Sequence, residues 1–100
     1  MLLKTKLEGL PKNASVFIED VFRKRLIESA IKKAGSLNQL GKIMGYTGSA
    51  PNWNIKQILV GNQGIPLFRL KRLCDFMNLR LSDVEDYVER VRSNSKNFET

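Results

Sequence analysis

From Phe17 to Ala34 apolar side chains return at steps of three and four residues: Phe17, Ile18, Val21, Phe22, Leu26, Ile27, Ala30, Ile31 and Ala34. That spacing gathers them on one face of a helix. The chain must therefore fold around an amphipathic helix running from about Ser15 to about Ala34, where Gly35 suits the left-handed conformation that stops it. Ser36 then opens a second, short helix, its hydroxyl placed for the amide three residues on and Gln39 placed to reach back. Leu37, Leu40, Ile43 and Met44 form its buried side, and Gly45 ends it. The linker Tyr46-Thr47-Gly48-Ser49-Ala50-Pro51 leads to a third helix at 52–60 with Ile55, Ile58 and Leu59 inward, broken by Gly61-Asn62-Gln63-Gly64.

Two more helices follow from the same logic. Pro66 suits a first turn, and Leu67, Leu70, Leu73, Cys74 and Met77 make a stripe that ends near Asn78. Ser82 and Glu85 form another capping pattern ahead of Val84, Tyr87, Val88 and Val91, which predicts a fifth helix reaching about Arg92. No alternating strand and no internal repeat stands out. The expectation is an all-α fold, a compact bundle of about five helices, with an N-terminal arm at 1–14, one domain at 15–92 and a flexible tail at 93–100. The arm, with turn-formers Gly9, Pro11 and Asn13, either packs or extends. A chain of 100 residues has room for one core.

Charge is distributed unevenly. Lys and Arg number 17 against 10 Asp and Glu, yet no acidic residue occurs between Glu28 and Asp75. That stretch carries Lys32, Lys33, Lys42, Lys56, Arg69, Lys71 and Arg72. A polyanion would be drawn to it by long-range attraction and counterion release, although an inert basic surface has the same composition. The opening Met1-Leu2-Leu3-Lys4-Thr5-Lys6 lacks the apolar run of about 7 to 15 residues that a signal peptide carries, and no run of about 18 apolar residues occurs. The expected setting is the cytoplasm, nucleoid-associated if the source is prokaryotic, with no membrane partner.

Two short helices joined by a turn, the second polar outside, suit the major groove of B-DNA, which is about 12 Å wide and admits one helix. Gly41 would leave room where the two axes cross; the other reading is a tolerated weak point in the helix. The run Ser36-Leu37-Asn38-Gln39-Leu40-Gly41-Lys42-Ile43-Met44-Gly45, with Asn54-Ile55-Lys56-Gln57-Ile58-Leu59-Val60-Gly61 and Ile65-Pro66, resembles the helix-turn-helix domain of the phage Cro and cI repressors, over about Val16 to Val91. The resemblance implies a lambda-repressor-like bundle that binds double-stranded DNA in transcription regulation, as a homodimer or on tandem half-sites.

Carried over by position, that family's base-facing sites fall on Asn52, Trp53, Lys56 and Gln57, and its phosphate-facing sites on Ser49 and Asn54. Asn and Gln pair with adenine in bidentate fashion, and Lys favours guanine or phosphate. The same polar residues would also suit an ordinary wet helix face. Trp53 lies off the inward stripe, either touching a thymine methyl or sugar or folding back as a lid over the linker. Lys32, Lys33, Lys42, Arg69, Lys71 and Arg72 would grip flanking phosphates, which orient the complex without specifying sequence. One departure from the family is a linker some four residues longer around 47–51, which alters the docking angle or orders on DNA.

Catalysis is not expected. The chain has no His, and its single cysteine, Cys74, falls on an apolar helix face as a buried, inert thiol. Glu19 and Asp20 point apart on a helix, while Asp83, Glu85, Asp86 and Glu89 read as the solvent face of the last one. No catalytic residue, metal-ligand set, cofactor or small-molecule substrate is therefore expected. Two other readings stay open: the DNA-targeting domain of a larger homing-endonuclease-like or DNA-processing protein, and an antitoxin or protein-interaction module using Val84, Tyr87, Val88 and Val91 as its contact surface or homodimer seam.

Overall fold

The apolar run that begins at Phe17 divides between two elements in the computed structural model of the chain, which describes residues 6–48 and 51–92. Ser15–Ile18 is a strand, β1, and the long helix α1 starts only at Asp20 and runs to Ala34. Val16 and Ile18 point to the core at a period of two, and β-branched residues flanking an aromatic favour a pleated surface over a helix's first turn. Glu19 marks the change of geometry: its carboxylate accepts from the Phe22 amide at 2.8 Å, so it caps α1 rather than lying inside it. Val21, counted above on the buried stripe, is exposed.

The following elements are α2 (Leu37–Ile43), α3 (Pro51–Val60), β2 (Ile65–Pro66), α4 (Leu67–Phe76), α5 (Leu81–Glu85) and β3 (Val88–Arg92). Helices dominate, but the expectation of an all-α fold fails: the strands form an antiparallel sheet ordered β2-β1-β3. Val16 pairs with Ile65 on one side and Val91 on the other, and Phe17 pairs with Arg90, whose guanidinium lies 3.9 Å from the ring centre. Gly64 lies so close to β1 that a Cβ there would come within 2.8 Å of the Phe17 ring. Two-residue strands carry too little periodicity to be read alone, and β1 had the composition of a helix face.

The fifth helix is also shorter than expected, because Val88 and Val91 are drawn into pairing with β1. Its cap is not the Ser82 and Glu85 pair. The Asp83 carboxylate accepts from the Arg80 amide at 2.8 Å, and the carboxylate of Glu85 is buried, where it accepts from the Leu7 amide at 2.9 Å. Val84 is sealed in the core, Val88 and Val91 lie in the sheet, and Tyr87 stacks on Phe22 with ring centres 4.0 Å apart. The contact surface or seam expected of these four residues therefore does not exist as one helix face, and Glu85 leaves the expected solvent face.

The arm packs. Leu7 and Ala14 are fully buried, and the carbonyls of Ala14 and Lys12 accept from the Leu67 and Phe68 amides at 2.8 and 2.9 Å. Those bonds satisfy first-turn donors of α4, whose cap residue, Pro66, makes no side-chain bond to them. The expected tail at 93–100 lies outside the described residues. Within them no helix is long and apolar enough to cross a membrane.

Candidate nucleic-acid interface

Helix α3 is held by an apolar inner stripe and a close helix crossing. Pro51, Ile55 and Ile58 are buried, with Leu59 partly so. At its start, Pro51 packs against Gly41 of α2, where a Cβ would stand 2.7 Å from the Pro51 carbonyl oxygen and 2.9 Å from its Cβ. The glycine is thus required by the crossing, the reading under which it leaves room for the neighbouring backbone. Ser36 caps α2 with its hydroxyl 3.1 Å from the Gln39 amide, and Gly35 and Gly45 adopt the left-handed backbone expected of them.

The far end of α3 is tied by Arg23, a cation buried on the core side of α1. Its guanidinium donates to the Ile18 carbonyl at 2.9 Å, to the Leu59 carbonyl at 3.2 Å and to the Asp20 carboxylate. One side chain therefore links β1, α1 and the last turn of α3, where a cation also meets the negative end of the helix dipole. Hydrogen bonds and charge from Lys24 and Arg23 hold the Asp20 carboxyl below its usual range, with Lys24 the leading cause.

With both ends fixed, α3 turns its other side outward. Trp53 is 55% exposed, which sets aside the lid position, and Lys56 is exposed beside half-buried Asn52 and Gln57. Asn54 is half-buried, its side-chain oxygen accepting from Gln63 at 3.1 Å; Gln57 accepts in the same way from Asn62 at 3.1 Å. Ser49 lies outside the described residues. Sequence reasoning treated Asn62 and Gln63 only as a helix break, and their carboxamides next to a polar helix were the available signal.

The flanking cations separate into groups. Arg69 and Arg72 both lie against Gly45, just past the end of α2 and three residues after the last-turn residue Lys42. Arg69 is committed to the fold: its guanidinium lies 4.1 Å from the Tyr46 ring centre and 4.7 Å from that of Phe68, and donates to the Met44 carbonyl at 3.2 Å. Beneath it the Tyr46 hydroxyl is buried near the Gln63 side chain, and burial raises its pKa. Lys33 is likewise engaged, donating to the Phe76 carbonyl at 2.6 Å. Lys71 lines a different depression with Glu8, Asp75 and Arg80. Lys32, Lys42, Lys56 and Arg72 remain as exposed cations.

Cys74 is buried, and burial, reinforced by the charges of Asp75 and Asp83, pushes its thiol up to about 11. A disulfide reagent is accordingly expected to leave the native protein unmodified at neutral pH and to label it fully only after denaturation. Rapid stoichiometric labelling of the folded chain would contradict this placement. Among the described residues no cluster of His, Cys, Asp or Glu is arranged to hold a metal. The chain matches no family model, no curated protein and no solved structure with which it was compared.

Proposed function

We propose that the chain binds double-stranded DNA sequence-specifically, with α3 in the major groove and with Lys42, Lys56 and Arg72 on the flanking phosphates, in the manner of a Cro-like or cI-like transcriptional regulator. The observation that carries this reading is the rigid outward presentation of α3 by the Gly41 crossing and the Arg23 tie, within a surface whose sequence from 29 to 74 holds no carboxylate. A helix fixed at both ends loses little conformational entropy on binding. Gln57 exchanges its bond to exposed Asn62 for an adenine edge, while Asn54 stays tied to Gln63 and acts from the groove margin.

A mobility-shift titration across about 50 to 200 mM salt tests this directly. With about three phosphates neutralised, log K is expected to fall against log salt with a slope of about −2.7. On a duplex selected from a random pool, Gln57→Ala is expected to cost about 1 to 3 kcal/mol and to relax base preference at one position, whereas Arg72→Ala weakens every sequence alike. Absence of duplex binding at low salt would refute the proposal. Equal losses for both variants on all sequences would remove the base-reading role.

A further inference from the structure

The outer side of α3 has a stripe of its own. Trp53, Lys56, Gln57 and Val60 follow the spacing i, i+3, i+4, i+7, which places them along one face opposite the buried Pro51, Ile55 and Ile58. Two of the four are large and apolar, and both face solvent: Trp53 at 55% and Val60 at 59% exposure. The polar pair stands between them. Protein-binding patches have the reverse order, an apolar centre inside a polar rim, so this face is poorly arranged for a protein partner.

A duplex fits the order as it stands. The surrounding stretch from 29 to 74 contains cations and no carboxylate, which selects a polyanion as occupant. Two carboxylates from outside that stretch come near the far end of α3: Asp20, which is paired with Lys24 at 3.3 Å as well as with Arg23, and Glu89, which lines a depression with Gly61, Gln63, Arg23 and Arg90. Within the major groove the edges of the bases offer donors and acceptors, and the one apolar group among them is the C5-methyl of thymine. Two exposed apolar side chains on a groove-facing helix therefore have one kind of base partner available to them.

We infer that Trp53 and Val60 are specificity-determining residues that each cover a thymine methyl, with Gln57 reading the base edge between them and Lys56 on the adjacent phosphate. Seven residues of helix span about 10.5 Å, and stacked base pairs rise about 3.4 Å, so the two methyls lie about three base pairs apart. This deepens the proposed duplex binding and rests on it.

The test replaces thymines of a selected duplex, one at a time, by deoxyuridine, which removes the methyl and leaves every hydrogen-bonding group in place. Affinity is expected to fall about fourfold at each of two positions about three base pairs apart, the value of one buried methyl-sized group. Trp53→Ala should abolish the sensitivity at one position and Val60→Ala at the other, with the salt slope unchanged in both. Both side chains are exposed, so neither variant threatens the fold, and the deoxyuridine arm leaves the protein unaltered. If deoxyuridine has no effect at any position, or if its effect survives in both variants, the inference fails while duplex binding stands. If no duplex is bound at low salt, the underlying proposal fails and the inference with it.

Discussion

Arg23→Ala is expected to destabilise the fold by about 1 to 3 kcal/mol, the cost of leaving one buried carbonyl, that of Ile18, without its donor. The Leu59 carbonyl, the second acceptor, is only part-buried and adds less. Loss of the Asp20 contact adds little, because that carboxylate is largely exposed and keeps Lys24. In a domain of this size each kcal/mol lowers the melting temperature by about 4 to 8 °C, so thermal unfolding followed by circular dichroism reads the effect directly. Arg23→Met separates the causes. It retains an apolar stem without donors, and is expected to lose nearly as much as the alanine variant if the hydrogen bonds dominate. Arg23→Lys should fall between, since an ammonium lacks the planar fork that spans two acceptors. A methionine variant as stable as the native chain would show that water replaces the guanidinium and that the tie between α1 and α3 is dispensable.

Arg23 also shows what was and was not legible in the sequence. It stands at i, i+3, i+4, i+7 with Leu26, Ile27 and Ala30, so the periodicity of α1 carried its place on the buried face, although a stripe counted from apolar residues alone passes over it. Its partners did not, because Ile18 and Leu59 belong to other elements, and only their three-dimensional packing brings their carbonyls to one point. Helices α1 to α4 were readable for the same reason that stripes are: burial repeats every turn, and Gly35, Gly45 and Gly61 stop the chain where the stripes stop. The sheet was not, since Phe17 and Ile18 join the three- and four-residue count of α1 and Val88 and Val91 stand three apart as on a helix, and pairing across the length of the chain overrides both readings. At the candidate interface the outward side of α3 could be read from its inward stripe. The diversion of Arg69 to Tyr46 and Phe68 and of Lys33 to Phe76 could not, because a cation's role depends on which rings and carbonyls the fold sets beside it.

The second large effect is expected at Gly41. Two terms oppose each other when it becomes alanine: a helix interior gains about 1 kcal/mol from the exchange, while overpacking a close contact costs about 1 to 3 kcal/mol. The contact decides the sign, because the new Cβ would meet a backbone oxygen 2.7 Å away and the ring of Pro51 at 2.9 Å, neither of which can rotate aside. Helix α3 must move by several tenths of an ångström or α2 must distort. Gly41→Ala is therefore expected to be less stable than the native chain despite its better helix propensity, and Gly41→Val more so, since its branched carbons extend farther into α3. Because Pro51 sits at the start of α3, the displacement also reorients Trp53, Lys56 and Gln57. Affinity for a selected duplex should accordingly drop more steeply than the residual folded fraction explains, while weak binding to unrelated sequences, governed by Lys42 and Arg72, persists. Gln39→Ala, on the exposed side of the same helix, serves as the control and should change neither quantity. Denaturant titration of the three variants beside their affinities decides the matter: an alanine variant more stable than the native chain and unchanged in binding would mean that the crossing is loose and that α3 is not held in place at Gly41.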